Sequence, residues 1–447
     1  MLDPAAFKAY DVRALYPSQL DEEGAYAVGR AFAEQFEPRR VAVGRDMRLS
    51  SPAMAGAAIS GLADAGADVA DLGMVGTEMV YFATAELGLD GGIMVTASHN
   101  PKQYTGMKIV RRGALPVGSE SGLVEIRDRA VRGQWKQSTR GQVEPVDVWD
   151  GFVDRALSFV EPSSIAPLRI VADAANGMAG EMLPRVLERL PQVEVVRCYF
   201  DPDGAFPNHE PNPLLPENRE FIVRRTREEG AAFGVAYDGD ADRCFFVDDT
   251  GEFVPGDFTT ALFAGLMLAR EPGGKVIYDV RASWAVPRAV EQAGGVPLIN
   301  RVGHSFIKQR MREEGAVFAG EVSAHYYFRD FSQADSGVIP FLLMLALVSG
   351  RDEPLSEILA PLRSKYFLTG EINTPVADVA LKLQELKERY SGEGRISHLD
   401  GLSVDAADWH MNVRPSNTEP LLRLNLEALS EARMEAKRAE VLEIIRA

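Results

Sequence analysis

Short apolar runs alternate with longer, alanine-rich segments through most of the chain. Three of these runs are rich in β-branched residues and end near an aspartate: Val41–Asp46, Ile170–Gly177 and Val276–Arg281. Each is followed by a helix-like segment and then by a second run that leaves into a glycine-containing loop, at Gly66–Gly73, Val193–Asp201 and Gly294–Gly303. After another helix-like segment, a third apolar run precedes Ser98, Asp238 or Glu321. The order strand, helix, strand, helix, strand predicts a parallel α/β sheet in each stretch.

The three stretches therefore form a weak internal repeat, which indicates three similar domains. Ligands of parallel α/β sheets bind beyond the carboxyl ends of the strands. The loops at Ser98, Asp238 and Glu321 follow equivalent strands of the three repeats. We expect the three domains to aim these loops into one cleft.

The C-terminal part of the chain has a different pattern. The segment "LTGEINTPV" reads as a strand, "VALKLQELKERY" as a helix, and the alternation of Leu422, Leu424 and Leu426 as a half-buried strand. This pattern indicates a fourth, smaller α+β domain. We predict domains at 1–145, 146–252, 253–366 and 367–447.

Composition and charge narrow the class of protein. The chain has 447 residues, 46% hydrophobic and 25% charged, which is ordinary for a soluble globular protein of several domains. A net charge of −17 argues against sequence-independent binding of nucleic acid, although local cations can still hold an anionic substrate. Cys198 and Cys244 are far apart and outside metal-type spacing. No signal segment opens the chain and no apolar run would span a bilayer, so we expect a cytoplasmic monomer or small homo-oligomer without membrane or nucleic-acid partners.

The stretch "YDGDADRCFFVDDTG" carries an acidic loop. Asp238, Asp240 and Asp242 alternate, so an extended loop would place their carboxylates on one side. Their repulsion is costly unless a cation lies between them, and hard oxygen ligands suit Mg²⁺ or Ca²⁺. An EF-hand loop would have glycine at Arg243 and flanking helices, whereas strands flank this loop. The pattern favours Mg²⁺, with a solvated acidic turn as the alternative.

In "GGIMVTASHNPKQYTGMKIV" a strand ends in a loop that holds Ser98 and its neighbour His99. A serine-hydrolase elbow would have glycines where Thr96 and Asn100 stand, so that interpretation is disfavoured. A serine in a turn also satisfies backbone groups without further function. Beside a Mg²⁺ loop, however, a phosphate on Ser98 would supply an oxygen to the metal, and the nearby Lys108 would neutralise charge or move a proton.

Two further stretches carry polar groups suited to a phosphosugar. In "GEVSAHYYF" the alternating Glu321, Ser323 and His325 suit sugar hydroxyls if they share one face; a strand with a polar outer face is the alternative. In "VRPSNTEP" an arginine and three small hydrogen-bonding side chains favour a phosphate-binding loop over an ordinary turn. The stretches "RVGHSFIK" and "FKAYDVRALYP" add cations beside glycine or aspartate, and each alone is weak evidence.

The motifs "TASHNP", "DGDADR", "GEVSAH" and "RPSNTEP", in this order and at these separations, resemble the α-D-phosphohexomutase family. The resemblance covers essentially the whole chain and is greatest to the bacterial phosphomannomutases. It implies three similar α/β domains with mixed, mostly parallel sheets, and a smaller C-terminal α+β domain, around a central cleft. Two positions depart from the family pattern: Thr105 stands where asparagine is usual, and Ala14 where glycine is common.

The resemblance implies roles for individual residues. Ser98 would carry a transferable phosphate, and this phosphoserine would hold Mg²⁺ with Asp238, Asp240 and Asp242. The residues that we assign to catalysis are Ser98, His99, Lys108, Arg13 and Arg243. Those assigned to the substrate are Glu321, Ser323, His325, His304, Lys308 and Arg281. Those assigned to the non-reacting phosphate are Arg414, Ser416, Asn417, Thr418 and Arg423.

The implied reaction is reversible transfer of phosphate between O6 and O1 of mannose phosphate. It would proceed through a phosphoserine enzyme and a hexose 1,6-bisphosphate that turns around in the cleft, with Mg²⁺ as the cofactor. Phosphoglucomutase, or an enzyme that uses both sugars, is the nearest alternative, since glucose and mannose differ only at C2. An aspartyl-phosphate phosphatase with Asp238 as nucleophile would leave "TASHNP" unexplained. A non-catalytic sugar-phosphate sensor would not need three carboxylates, a serine and a lysine together.

Overall fold

The computed structural model describes residues 1–416 and 421–447 and contains four β-sheets. The first sheet is formed by β1 Val12–Leu15, β2 Arg40–Arg45, β3 Asp68–Met74, β4 Gly91–Val95, β5 Tyr104–Arg111, β6 Leu115–Pro116 and β7 Val143–Pro145. Its helices are α1 Glu22–Phe36, α2 Ser51–Asp64, α3 Thr77–Glu86 and α4 Leu123–Arg132, with α5 Trp149–Leu157 leading to the next unit. The strand order is β1-β5-β4-β2-β3-β7, and β6 pairs with β5.

The second and third sheets repeat the central part of this arrangement. The second contains β8 Leu168–Asp173, β9 Val193–Cys198, β10 Phe233–Tyr237, β11 Cys244–Asp248 and β12 Phe253–Val254, with α6 Ala179–Leu187 and α7 Pro216–Glu228. The third contains β13 Lys275–Asp279, β14 Val296–Asn300, β15 Phe318–Gly320, β16 Tyr326–Phe328 and β17 Ala334–Asp335. Its helices are α8 Gly256–Arg270, α9 Ala285–Gln292, α10 His304–Glu314, α11 Val338–Ser349 and α12 Leu355–Arg363.

The fourth sheet is antiparallel throughout its paired strands, in the order β18-β22-β21-β20-β19. Its strands are β18 Phe367–Pro375, β19 Arg395–Ser397, β20 Leu402–Asp405, β21 Trp409–Pro415 and β22 Leu421–Ala428. Helices α13 Val379–Tyr390 and α14 Glu431–Arg446 accompany it. The predicted strand at the three leucines is confirmed, since all three lie buried in β22.

The prediction of three α/β units with mixed sheets and a smaller α+β unit is confirmed. In each of the first three sheets, the three strands of the repeat are parallel. The strands that follow the motif loops are antiparallel, so parallel pairing does not dominate any of these sheets. The reason is the short motif loop, because a short connection joins antiparallel neighbours, whereas a parallel return needs a long crossover.

Uninterrupted apolar sequence explains why several strands and helices lie in the protein interior. Strands β4, β10 and β11 are buried at every position, as expected for strands covered on both faces. Helix α11 is apolar on all sides and is correspondingly buried. One apolar core extends from Ala42 to Tyr366 through the first three units, whereas the fourth unit has its own core between Val376 and Ile445. Across the described residues, none of the helices combines the length and apolarity needed to cross a bilayer.

Candidate active site

Equivalent strands of the first three sheets carry the three motif loops. Strands β4, β10 and β15 each lie parallel to the first strand of their repeat and end in the loops of Ser98, Asp238 and Glu321. Each loop then turns directly into an antiparallel strand. The repeat therefore brings the three loops to corresponding sheet edges, as predicted.

A buried arginine that the sequence did not reveal as functional binds the backbone of the serine loop. The Arg48 guanidinium donates to the Ser98 carbonyl at 2.7 Å, to Asn100 at 2.6 Å and to Pro101 at 2.9 Å, with a longer bond to Tyr104 at 3.3 Å. Its side chain is 1% exposed. Four carbonyls on one guanidinium fix the path of the whole loop. The signal available in the sequence was only its proximity to an aspartate that ends a predicted strand.

The backbone of Ser98 adopts a left-handed conformation, with φ of 48°. This region is uncommon for residues other than glycine and is found where the surroundings impose it. The Thr96 hydroxyl accepts from the Ser98 amide at 2.8 Å, and Arg48 holds the Ser98 carbonyl. The loop thus presents the serine side chain in one defined direction.

The Ser98 hydroxyl points into the aspartate loop of the second unit. It donates to Asp238 Oδ2 at 2.7 Å, and the Arg243 guanidinium donates to the same hydroxyl at 3.2 Å. His99 Nδ1 lies 3.3 Å away and also contacts Arg243. Burial, with the positive charges of Arg243 and Arg13, lowers the pKa of His99 well below its usual value. The serine oxygen is therefore surrounded by a carboxylate, a guanidinium and a neutral imidazole.

The three aspartates converge, but through a tight turn. Residues 239–242 are turn and bend, and Ala241 has φ of 60°, so the prediction of an extended loop is wrong. A left-handed residue reverses the chain locally and lets carboxylates that alternate in sequence meet. One oxygen from each aspartate lies within 4.8 Å of the others. All three side chains are buried.

Cations from two units offset this buried negative charge. Lys108 Nζ donates to Asp240 Oδ2 at 2.7 Å and also to Asp242. Burial alone would lower the pKa of Lys108, but the two carboxylates outweigh it and raise that pKa above its usual value. Arg243 binds Asp238 Oδ2 through Nη2 at 2.7 Å and Nε at 3.0 Å. Burial, reinforced by the two other aspartates, raises the pKa of Asp238 to about 6 against the opposing effect of Arg243.

The aspartate cluster fits a divalent cation. Oδ1 of Asp240 and Oδ1 of Asp242 are buried and have no hydrogen-bond partner in the described part of the chain. Leaving a buried carboxylate oxygen unpaired is costly, and a cation would satisfy both atoms at once. Thr77, another residue that sequence reasoning missed, orients this carboxylate from the first unit: its hydroxyl donates to Asp240, and its amide to the Asp240 carbonyl at 3.1 Å.

The sugar-motif side chains also meet through a turn and not along an extended strand. Ala324 has φ of 62° between Ser323 and His325. The Ser323 hydroxyl lies 3.0 Å from His325 Nδ1, and that nitrogen is 3.4 Å from Glu321. The expected shared strand face is therefore wrong, while the convergence of the three groups is found. His325 Nε2 lies 3.9 Å from Asp242, which connects this loop with the aspartate loop.

Glu321 is a firmly held carboxylate. It accepts from the Gly303 amide at 3.0 Å and from the Tyr327 hydroxyl at 2.6 Å, and Tyr327 was not among the predicted residues. Burial would raise the pKa of Glu321, but His325, Arg281 and Tyr327 outweigh it and lower that pKa. Glu321 is therefore an acceptor with a fixed orientation.

The neighbouring His304 and Lys308 differ in their surroundings. His304 lies edge-on to Tyr10 at a centroid distance of 5.5 Å, and its buried Nδ1 has no hydrogen-bond partner within residues 1–416 and 421–447. Lys308 is 0% exposed, pairs with Asp335 at 2.8 Å, and lies 4.0 Å from the Tyr81 ring. His304 therefore lies against Tyr10 of the first unit, whereas Lys308 is enclosed between the first and third units.

The remaining predicted cations fall into two groups. Arg13 donates to Asp11 at 2.8 Å and to Asn100 at 3.2 Å, beside the serine loop. Arg281, Arg414 and Arg423 meet around Glu371 of the fourth unit. Ser416 follows β21, and its amide donates to the Leu421 carbonyl at 3.0 Å. The predicted phosphate-binding residues Asn417 and Thr418 lie outside the described part of the chain.

The fold and this site together define an enzyme class built from three similar α/β domains and a fourth domain, whose polar side chains contact one another across the units. The models of the phosphoglucomutase/phosphomannomutase family match residues 4–135 (alpha/beta/alpha domain I), 150–251 (domain II), 255–366 (domain III) and 371–444 (C-terminal domain). The chain belongs to the phosphoglucomutase/phosphomannomutase family. Membership identifies it as a mutase, and therefore an isomerase.

Individual relatives are similar over their full length. A phosphomannomutase of Salmonella montevideo is 42% identical, with 98% of both chains covered. A protein named phosphohexose mutases from Xanthomonas campestris pv. campestris is 43% identical, with 99% of both covered. The crystal structure of a phosphoglucomutase/phosphomannomutase family protein from Burkholderia thailandensis is 34% identical, with a TM-score of 0.92 over 100% of this chain and 98% of that one.

Proposed function

We propose that the protein is a phosphomannomutase that interconverts mannose 6-phosphate and mannose 1-phosphate, with Ser98 as the residue that carries the transferred phosphate. The observation that carries the proposal is the position of the Ser98 hydroxyl, 2.7 Å from Asp238 and 3.2 Å from Arg243, where the serine loop meets the aspartate loop. The names of the full-length relatives support mannose phosphate as the substrate.

The surroundings of Ser98 suit phosphoryl transfer. Transfer of a phosphoryl group spreads negative charge over its oxygens, and enzymes stabilise that charge with fixed cations and good alignment. Arg243 is buried against the serine oxygen, and Lys108 enters from the first unit beside the aspartates. The backbone of Ser98 is left-handed, and the bonds of its carbonyl to Arg48 and of its amide to Thr96 hold it in that conformation.

Asp238, Asp240 and Asp242 would hold Mg²⁺ together with an oxygen of phosphorylated Ser98. The bound ion would supply positive charge to the phosphoryl oxygens. The unpaired buried oxygens of Asp240 and Asp242 support this assignment, and Thr77 keeps Asp240 in its orientation.

The sugar and its second phosphate would bind between the third and fourth units. Glu321 would accept hydrogen bonds from sugar hydroxyls, and Ser323 would donate a hydrogen bond to one. His325 lies between these two residues and the aspartate loop. Arg414, Arg423 and Arg281 would face the phosphate that does not react. A hexose 1,6-bisphosphate would form on the enzyme, turn around and return one phosphate to Ser98, so the same cations must serve both orientations.

The test combines an assay with a phosphate map. Purified protein is incubated with mannose 1-phosphate or glucose 1-phosphate, each with trace 1,6-bisphosphate, and the 6-phosphates are measured. Intact and peptide mass spectra should show a fraction of molecules with one phosphate on the Ser98 peptide. Ser98→Ala should lose most turnover, whereas the exposed Ser138→Ala should retain it.

Two results would contradict the proposal. A phosphate on Asp238 with full activity of Ser98→Ala would favour the phosphatase alternative. Turnover of glucose 1-phosphate without turnover of mannose 1-phosphate would make the protein a phosphoglucomutase. Turnover of both sugars agrees with the proposal and would show in addition that the enzyme is of the dual-specificity kind.

A further inference from the structure

A single carboxylate lies among three arginines at the junction of the third and fourth units. Glu371 Oε1 is 3.1 Å from Arg423 Nη1. Its Oε2 is 3.6 Å from Arg281 Nη1 and 3.7 Å from Arg414 Nη2. The Glu371 side chain is 24% exposed, so the group retains access to solvent. These four side chains are called the arginine–glutamate cluster below.

The three arginines of this cluster differ in how many of their N–H donors already have an acceptor. Arg281 is already bound by Asp279, through Nε and Nη2 at 2.9 Å each. Among the residues that the structure describes, none makes a hydrogen bond with the buried Nε atom of Arg414 or of Arg423. Unused, buried guanidinium donors are suited to an anion with several acceptor oxygens, because phosphate accepts from guanidinium groups in a bidentate manner. Glu371 supplies only two oxygens to the cluster.

Glu371 thus has the same partners that a bound phosphate would have. The positive charges of Arg281, Arg423 and Arg414 outweigh burial and lower the pKa of Glu371, so it is an anion. A second anion that enters the cluster must share these arginines with the carboxylate and approach its negative charge. Both effects weaken the hold on a phosphate.

We propose that Glu371 sets the affinity of the arginine cluster for phosphate, keeping it low enough for the bisphosphate to be released and turned around. This inference rests on the proposed mutase function, in which the bisphosphate must leave its phosphate contacts and turn around between two phosphoryl transfers. Binding that is equally tight in the ground and transition states lowers KM without increasing kcat. Glu371 is then an affinity-setting residue for the phosphate that does not react.

The first measurement is binding of inorganic phosphate by calorimetry at constant ionic strength, which requires no turnover. Glu371→Gln keeps the size of the side chain and removes the charge, and it should bind phosphate about three- to thirtyfold more tightly than the wild type. Glu371→Asp, which keeps the charge, should remain within about threefold. The matched control is Glu385→Gln, a partly exposed glutamate of the same unit paired with Lys382. Adding Arg414→Ala to Glu371→Gln should abolish the gain.

The second measurement is steady-state turnover of mannose 1-phosphate. Glu371→Gln should lower KM and kcat together, since the phosphate is held more tightly and leaves more slowly. Unchanged or weaker phosphate binding by Glu371→Gln would overturn the proposal, as would tighter binding with an undiminished kcat. If the wild type turns over neither sugar phosphate, the mutase function fails, while the calorimetric comparison still decides whether Glu371 limits phosphate binding.

Discussion

Neighbouring groups fix both the charge and the orientation of individual side chains at this site. Glu321 shows this most clearly, with an amide, a phenol and an imidazole around one carboxylate and a guanidinium 3.9 Å away. Such a group can accept from a sugar hydroxyl without reorganising, which is the condition for a strong contact in a buried site.

Replacing Glu321 by alanine should reduce kcat/KM equally for the mannose and glucose phosphates. The contact of one hydroxyl with a charged group is worth about 1.5–3 kcal/mol, so the loss should be roughly 10- to 150-fold. The assay compares both sugars in the variant, the wild type and the exposed Glu313→Ala of the same unit. A loss confined to one sugar would show that Glu321 distinguishes the configuration at C2.

A second prediction concerns Glu78, which is fully buried and accepts from the amides of Gly337 and Val338 at 3.2 Å each. Burial raises the pKa of Glu78 to about 8, from an ordinary value near 4.5. The unfolded chain therefore releases this proton at lower pH than the folded protein. As a result, the free energy of unfolding decreases as the pH rises from about 4.5 to about 8 and then levels off.

Glu78→Gln removes this titration. The difference in Tm between Glu78→Gln and the wild type should be small at pH 5, grow in favour of the variant up to pH 8 by about 1–4 °C, and stay constant above pH 9. Thermal unfolding in a pH series measures it, with the exposed Glu86→Gln of the same helix as control. A difference that does not depend on pH would exclude an elevated pKa at Glu78.

At the scale of elements, a buried helix and a clamped loop assemble the site. The first turns of α3 contact the second unit through Thr77 and the third unit through Glu78 and Tyr81. The serine loop, in turn, depends on Arg48 in the turn that precedes α2. Phe206 of the second unit covers that guanidinium at 5.0 Å. Correct placement of Ser98 is therefore a property of several elements together.

Arg48→Lys should reduce turnover more than stability. Lysine retains a charge beside Asp46, but one ammonium with three donors cannot reach the four carbonyls that the guanidinium binds. We expect kcat to fall at least about tenfold, together with the phosphorylated fraction of the Ser98 peptide, and Tm to change by a few degrees at most. Arg39→Lys, an exposed position of the same unit, is the control. Full phosphorylation and wild-type kcat in Arg48→Lys would show that the serine loop does not require the hydrogen bonds of the Arg48 guanidinium.

At the scale of the whole molecule, the first three units share one apolar core and the fourth has its own. The aspartate cluster lies where the first unit, through Lys108 and Thr77, meets the second. A cation bound there would stabilise the assembled units, because a ligand that binds only the folded protein increases its stability by mass action.

Mg²⁺ should therefore raise the Tm of the wild type, and it should do so less in Asp240→Asn, which removes one of three charges facing the ion. The exposed Asp201→Asn in the second unit is the matched control and should respond like the wild type. In parallel, chelation should abolish turnover and Mg²⁺ should restore it. An equal shift in Asp240→Asn and the wild type, or full turnover in excess chelator, would contradict a metal role for the cluster.

The sequence by itself determined the repeat, the order of strands and helices, and the stretches that carry the chemistry. Hydrophobic periodicity and local turn residues report such features directly, and α13 spans the segment recognised as helical. The family resemblance is confirmed by the full-length matches. The domain boundaries at 145, 252 and 366 and the roles of the individual site residues stay predictions.

Only the tertiary structure decided how the chemical groups meet. The aspartate and sugar motifs were predicted as extended and are turns with left-handed alanines, Ala241 and Ala324. Alternating residues suggest a shared face, but they do not show where a chain reverses. The sequence did not identify Arg48, Thr77 or Glu371, because the partners of these residues are distant in sequence, on other loops or in other domains. Sequence analysis identifies a functional side chain from the residues next to it in the chain. The roles of these three residues depend on partners that come within hydrogen-bonding distance only in the folded protein.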